Sequence, residues 1–185
     1  NGSNGSGFEP SSSLATRGFC AVLVNGETRS KDSCNVSDFC NLIDNASMGW
    51  IDFIVDDMAD VPAAASALGF NEQLVGNLLK SSRSGYEDSG GELGILLPAI
   101  IIHGFNVKLN PLIILMRENG IVTLHSTEVK RFSRVRRYAE NLMHKMSLSM
   151  PQKDRMTVLL NRIIDENNAR NFDYLREIEE QGDKM

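Results

Sequence analysis

The end of the chain is the feature that most constrains its fold. Apolar residues recur there at the spacing of one helical face, and they predict a single amphipathic helix over residues 152–183. Such a helix is about 48 Å long at the usual rise per residue, whereas a compact chain of 185 residues has a radius of gyration of about 16 Å. We therefore expect the helix to project beyond its domain, as a stalk, an oligomer contact or a link to a membrane. Its apolar face comprises Met156, Leu160, Ile163, Ile164, Phe172, Leu175 and Ile178.

Polar residues interrupt and flank this apolar face. At helical spacing Asn167, Asn168 and Asn171 fall within the stripe, where amides buried without partners cost free energy. Either this stretch of the helix is hydrated, or the amides form a polar layer that sets the register of an assembly. Acidic residues also crowd the helix. They indicate either a solvated acidic face or a surface that senses divalent cations, whose preferred ligands are oxygen atoms.

Composition and charge argue against several classes of function. The net charge of −5 and the pI near 5.2 argue against a nucleic-acid-binding protein. The longest uncharged apolar run, residues 93–102, is shorter than the roughly 20 residues of a membrane span. No nucleophile, base or cofactor motif is found, so we do not expect an enzyme.

A basic cluster predicts a solvated face or a surface for acidic neighbours, and a nucleic-acid or lipid-headgroup contact is the less favoured interpretation. This cluster comprises Lys130, Arg131, Arg134, Arg136 and Arg137.

The spacing of apolar residues and turn signals predicts a mixed α/β fold. Residues 1–17 are expected to be a flexible leader, residues 18–147 one α/β domain, and residues 148–185 the start of the long helix. Asn25-Gly26 and Asn119-Gly120 predict hairpin turns, and residues 81–91 predict a polar loop. Strands are predicted at 19–24, 27–33, 50–55, 93–103, 112–117 and 121–125, and helices at 37–44, 61–68, 72–80, 128–146 and 152–183. This order favours a mixed sheet with helices on both faces, an α/β/α sandwich from which the long helix protrudes.

Four segments along the chain share motifs with a known family. They are Trp50-Ile51-Asp52 before the paired short helices, Leu68-Gly69-Phe70 between them, the segment from Asn119 to His125, and residues 159–165 followed by Phe172 and Leu175. In this order and spacing they resemble the N-terminal cytosolic domain of CorA-type magnesium and cobalt channels, over residues 18–183. The resemblance implies an α/β/α domain with a long stalk helix.

The resemblance also implies a function and an assembly. Members of that family are homopentameric divalent-cation channels in the cell membrane, with this domain on the cytoplasmic face and the stalk helix continuing into the first membrane span. Without the spans, the chain is expected to be a regulatory fragment that is monomeric or weakly associated. Because selectivity lies in the pore, a zinc-transporting relative is an alternative. A stand-alone scaffold with an oligomerisation helix is another.

A regulatory magnesium site between subunits is a further implication of the resemblance. In the family, two adjacent acids on the second paired helix and an aspartate of the stalk contribute to it. By position the acids correspond to Gly76 and Asn77 here, and the aspartate corresponds to Asp165. Asp165 is therefore the predicted metal ligand, and Asn77 offers only a carbonyl oxygen. Since magnesium favours carboxylates, the site is expected to be weaker than in the family. No cofactor is expected to be required for the fold.

Overall fold

The computed structural model describes residues 17–81, 83–104 and 106–183, and within them the chain forms seven strands and five α-helices. The predicted leader lies outside the described residues except for Arg17, which opens the first strand. The strands are β1 Arg17–Val24, β2 Glu27–Ser33, β3 Met48–Val55, β4 Gly85–Ser89, β5 Glu92–His103, β6 Asn106–Arg117 and β7 Gly120–Ser126. The helices are α1 Val36–Asp44, α2 Val61–Ala67, α3 Glu72–Leu79, α4 Ser133–Ser149 and α5 Gln152–Gly182.

The strands form one mixed sheet, and the helices cover both of its faces. The strand order is β2-β1-β3-β7-β6-β5-β4. Strands β3 and β7 are parallel neighbours, and the other pairs are antiparallel. Helices α1, α2 and α3 pack on one face and α4 and α5 on the other. This arrangement confirms the predicted α/β class with helices on both faces.

The central strands carry apolar side chains on both faces of the sheet, so both faces must be covered. Successive side chains of a strand point to opposite faces. In β6, Ile113 and Leu115 pack with α1 to α3, whereas Leu112 and Ile114 pack with α4 and α5. All four residues are fully buried. A continuous apolar run of this kind is typical of a strand buried on both faces.

Strand β4 occupies part of the segment that was predicted to be a loop, so that prediction was wrong. Residues Gly85–Ser89 pair with Glu92–Leu96 of β5. Gly90 and Gly91 connect the two strands with φ angles of 60° and 86°, which are the positive values that a tight hairpin turn requires. The sequence signal is weak because β4 is a mostly exposed edge strand without apolar alternation.

The turn between β6 and β7 lies one residue earlier than predicted. Arg117 pairs with Gly120, so the two loop residues are Glu118 and Asn119. The Asn119 side chain donates hydrogen bonds to the carbonyl oxygens of Ile43 and Ala46, at 3.1 and 3.4 Å. A Cβ atom at Gly120 would lie 3.0 Å from the Ile43 side chain. The predicted hairpin is therefore confirmed. Asn119 binds the carbonyl end of α1, and the absence of a side chain at Gly120 leaves room for Ile43.

Helix α4 begins at Ser133, five residues later than predicted. The preceding segment is held in an irregular path by tertiary contacts. Val129 is buried in a small cluster with Ala99 and Ile101 of β5. Arg131 is also buried. These contacts hold the segment against the sheet in place of a first helical turn.

Helix α5 changes character along its length. Met156, Leu159 and Ile163 belong to the same core as α4, so the first half of α5 is part of the domain. Farther along, Phe172 and Leu175 are 62% and 47% exposed. The predicted projection beyond the domain is therefore made by the C-terminal part of α5. None of the helices in the described ranges combines the length and apolarity needed to cross a membrane.

Two glycines make a matched test of packing. A Cβ atom at Gly18 would overlap the ring of Phe39 and lie 2.8 Å from Cδ2 of Phe53, whereas a Cβ atom at Gly76 in α3 meets nothing within 4 Å. We expect Gly18→Ala to lower the free energy of unfolding by about 1–3 kcal/mol through overpacking. We expect Gly76→Ala to raise it by about 0.5–1 kcal/mol, because alanine favours the helix. Urea denaturation measures both changes, and effects of the same sign would contradict this account.

Candidate functional site at the base of the long helix

The two residues predicted to bind metal lie on opposite sides of the domain. Asp165 is exposed on α5, and Asn77 is half-buried on α3, which packs on the other face of the sheet. Asn77 Oδ1 accepts a hydrogen bond from Lys80 Nζ at 3.4 Å. One chain therefore does not bring Asp165 and Asn77 together, and an ion shared by them requires a second copy. Across the described ranges, no group of three or more His, Cys, Asp or Glu residues is placed to hold a metal ion.

The asparagines of α5 bind the backbone of strand β5. Asn167 is 1% exposed, and its Nδ2 donates to the carbonyl oxygen of Pro98 at 3.2 Å. Asn171 Nδ2 donates to the same oxygen at 3.0 Å, and Asn171 Oδ1 accepts from the backbone N–H of Ile100 at 2.9 Å. Asn168 is exposed. Neither predicted explanation, a hydrated stretch or a polar layer within an assembly, describes Asn167 and Asn171.

Strand β5 offers these groups because part of its edge is open. The pairing of β4 with β5 ends opposite Leu96. On the other side of β5, Pro98 lies opposite Pro111 of β6, and neither proline has an N–H group to donate. Facing prolines fit only a pair without mutual hydrogen bonds, so the Pro98 carbonyl and the Ile100 N–H point to the open edge. The Asn171 amide thus takes the place of a peptide group from a neighbouring strand.

Arg131 completes this junction. Its side chain is 6% exposed, Nη1 donates to the carbonyl oxygen of Asn167 at 2.9 Å, and Nη2 donates to the carbonyl oxygen of Ile100. The guanidinium also lies 5.7 Å from the ring centroid of Tyr174. Burial lowers the pKa of Arg131 to about 10, partly offset by Tyr174. The sequence placed Arg131 on a solvated face, which was wrong because its partners come from β5 and α5.

A second buried cluster joins two of the motifs that carried the family resemblance. Asp52 of β3 and Thr123 of β7 are directly paired in the parallel register, and Thr123 Oγ1 lies 2.6 Å from Asp52 Oδ1. His125 Nε2 lies 2.9 Å from the same oxygen, and Trp50 Nε1 donates to Thr123 Oγ1 at 3.2 Å. All four residues are at most 2% exposed.

Arg136 connects this cluster to α4. Its Nε and Nη2 lie 2.7 and 2.5 Å from Asp52 Oδ2, and we call Trp50, Asp52, Thr123, His125 and Arg136 the buried network. Burial alone raises the pKa of the Asp52 carboxyl. The charge and hydrogen bond of His125, together with Arg136 and Thr123, lower it by more than burial raises it, so the pKa lies below its ordinary value. The buried network therefore holds a carboxylate between α4 and the central strands.

A cleft of about 1020 Å³ adjoins the buried network. His125 and Arg136 line it together with Lys130, Arg137 and Glu140. The predicted basic cluster is thereby divided between two roles. Arg131 and Arg136 bind buried groups of the fold, whereas Lys130 and Arg137 are exposed at the cleft. Trp50, Asp52, Thr123 and His125 all belong to the two motifs and Arg136 to the basic cluster, but their pairing became visible only in the sheet.

Solved structures with the same fold include two of one protein and one of a second. The complete CorA magnesium transporter of Methanocaldococcus jannaschii matches with a TM-score of 0.62 at 14% identity, over 90% of this chain and 49% of that one. The soluble domain of the same CorA matches with a TM-score of 0.55 at 16% identity, over 92% and 62%. The ZntB cytoplasmic domain of Vibrio parahaemolyticus matches with a TM-score of 0.60 at 15% identity, over 90% and 64%. The chain thus spans less than two thirds of each protein.

Comparison with sequence families identifies the chain directly. No curated protein matches the sequence significantly. The model of the family described as CorA-like Mg2+ transporter protein matches residues 45–185. That range contains the buried network, the junction of α5 with β5, and Asp165. The chain therefore belongs to the CorA-like Mg2+ transporter family.

Proposed function

We propose that this chain is the cytoplasmic regulatory domain of a divalent-cation transporter and couples cation binding to the pore through α5. The observation that carries the proposal is the construction of α5. Its first half is built into the core, its middle is hydrogen-bonded to β5, and Phe172 and Leu175 beyond are exposed. A helix fixed at one end and free at the other is suited to transmit a movement of the domain.

The regulatory mechanism is electrostatic. In a homopentamer of the complete transporter, a cation lies between α5 of one subunit and α3 of the next, which the opposite placement of Asp165 and Asn77 allows. Bound ions hold neighbouring subunits together, and their loss lets the subunits and their α5 helices move apart. Magnesium or cobalt is the proposed cargo, with magnesium also the regulatory ion.

A zinc-transporting relative is the second candidate. The fold match to the ZntB cytoplasmic domain, with a TM-score of 0.60, is as good as the matches to CorA, with TM-scores of 0.55 and 0.62. The cytoplasmic fold therefore does not separate the two candidates. Uptake of radioactive or fluorescently detected Mg²⁺, Co²⁺ and Zn²⁺ by vesicles containing the complete transporter distinguishes them.

Removal of the Asp165 carboxylate is expected to weaken the regulatory site. Because the proposed ion bridges two copies, millimolar Mg²⁺ should raise the average mass of the wild-type chain in sedimentation at high protein concentration. In Asp165→Ala the magnesium concentration at the midpoint should rise about tenfold or more, which corresponds to about 1.4 kcal/mol of lost binding free energy. Glu179→Ala removes the same charge from an exposed position of α5 and serves as the control.

Each outcome of this titration has a distinct meaning. Equal midpoints for wild type and Asp165→Ala would remove Asp165 from the site. An equal shift in Glu179→Ala would show that magnesium acts by general charge screening along α5. Association that is insensitive to magnesium would contradict the bridging mechanism.

A further inference from the structure

We propose that Arg131, Asn167 and Asn171 form a releasable latch between α5 and the open edge of β5. The structure shows the latch closed. In the open state α5 remains packed up to Ile163, while the part of the helix beyond Ile163 leaves the strand. In the closed state the part of α5 beyond Ile163 is hydrogen-bonded to β5. In the open state it moves independently of the sheet.

The contact between α5 and the rest of the domain changes from apolar to polar after Ile163. The buried residues of α5 are Met156, Leu159, Ile163 and Asn167, in that order, so the last buried position is polar. Opening an apolar contact exposes apolar surface to water, which is unfavourable in proportion to its area. Opening the latch exchanges hydrogen bonds within the protein for hydrogen bonds to water, and the net free-energy change of such an exchange is small. The junction of α5 with β5 is therefore easier to open than the core that precedes it.

Two buried atoms lower the stability of the closed latch further. Within the described residues, Arg131 Nε and Asn167 Oδ1 are buried without a hydrogen-bond partner. A buried polar atom without a partner loses its hydration and gains nothing in exchange. Both atoms regain water when the latch opens. This penalty is confined to the closed state, so it brings the two states closer in free energy.

Asn171 makes two hydrogen bonds to β5 that open together. It binds the carbonyl oxygen of Pro98 and the N–H of Ile100 at the same time, so movement of the part of α5 beyond Ile163 away from the strand breaks both bonds. Asp165 is exposed two residues before Asn167, so an ion bound at Asp165 acts beside the latch. The link between the ion and the latch is the one part of this inference that rests on the proposed function.

Amide hydrogen exchange at Ile100, followed by NMR in the whole 185-residue chain, reports directly on the latch. The Ile100 N–H donates to Asn171 Oδ1, whereas Val122 lies in β7 between β3 and β6 and is expected to exchange only through global unfolding. We expect Ile100 to exchange at least about 100-fold faster than Val122. Asn171→Ala should accelerate exchange at Ile100 by about tenfold relative to Val122. The control Asn168→Ala changes an exposed neighbour and should leave that ratio unchanged.

Specific results overturn the latch. Equal exchange rates at Ile100 and Val122 in the wild type show that α5 and β5 separate only on global unfolding. An unchanged ratio in Asn171→Ala shows that the amide does not hold the latch closed. Magnesium chloride at millimolar concentration should slow exchange at Ile100 in the wild type and not in Asp165→Ala. Magnesium-insensitive exchange at a fast-opening Ile100 supports the latch and overturns only its link to the cation.

Discussion

Replacement of Asp52 by asparagine is expected to lower the free energy of unfolding by about 3–5 kcal/mol, the usual cost of removing one partner from a buried ion pair. Asp52 is 1% exposed. Its Oδ2 faces Nε and Nη2 of Arg136, and both of those groups are donors. The asparagine keeps the shape and one acceptor oxygen for His125 and Thr123, but it turns a third donor toward Arg136. The Arg136 guanidinium, whose side chain is 23% exposed, then loses its counter-charge.

The comparison is made by urea denaturation at neutral pH with Asp32→Asn as the control. Asp32 lies on the exposed strand β2, and the same chemical change there should alter the free energy by less than about 0.5 kcal/mol. His125→Gln keeps an amide donor toward Asp52 and should be less harmful than Asp52→Asn. Equal stabilities of wild type and Asp52→Asn would show that the buried network does not stabilise the fold.

The effect of Asp52→Asn has a pH dependence with a definite sign. The pKa of Asp52 is lowered in the fold from its ordinary value of 3.8. The stability that its charge contributes is therefore fully present above the unfolded-state pKa and is lost as the pH falls through the lower folded-state pKa. The part of the difference that comes from the Asp52 charge should persist from neutral pH to about pH 5 and shrink only in stronger acid. A difference that shrinks at neutral pH would contradict this assignment.

Truncation of Trp50 to alanine should be comparably severe, lowering the free energy of unfolding by about 3–5 kcal/mol. The indole is fully buried. It packs edge-on against Phe19 and Phe132, with ring centroids 5.7 and 5.9 Å away, and donates to Thr123. Alanine leaves a cavity between β1, β3 and the segment that leads into α4. It also leaves the buried Thr123 hydroxyl without its donor.

Two further variants separate packing from hydrogen bonding at this position. Trp50→Phe retains most of the ring packing but removes the N–H donor, so it should lose less than Trp50→Ala. Tyr86→Ala truncates an aromatic side chain that is 64% exposed on β4, and it should change the free energy by less than about 0.5 kcal/mol. Thermal and urea unfolding measure all three. A cost of Trp50→Ala as small as that of Tyr86→Ala would contradict the packing described here.

The order of most elements was predictable because it depends on local signals. Asn25-Gly26 connects β1 and β2 with two positive φ angles, as the dipeptide predicts. Asn71 caps α3 by accepting a hydrogen bond from the N–H of Gln73, which is typical of an asparagine just before a helix. Strand β4 was missed because its exposed residues carry no periodicity until β5 pairs with them. Local signals thus predict elements that can be recognised without their neighbours.

The candidate sites were predicted only as isolated residues. Asp52 and His125 were recognised as members of two separate motifs. Nothing in their spacing indicated that β3 and β7 are parallel neighbours. Asp165 was predicted as a ligand for an ion between subunits, and that prediction awaits the magnesium titration. Arg131 was assigned to a solvated face because helical periodicity was extended through a segment that is not helical.

The sequence by itself determined that the chain ends in a long amphipathic helix and that polar residues break its apolar face, since both follow from the spacing of neighbouring residues. Only the tertiary structure decided which polar groups are buried and what they bind. Asn171 meets Pro98 across 73 positions of sequence, and Arg136 meets Asp52 across 84. The partner of a buried polar atom is set by the folding of distant segments onto each other, and periodicity along one segment carries no information about it.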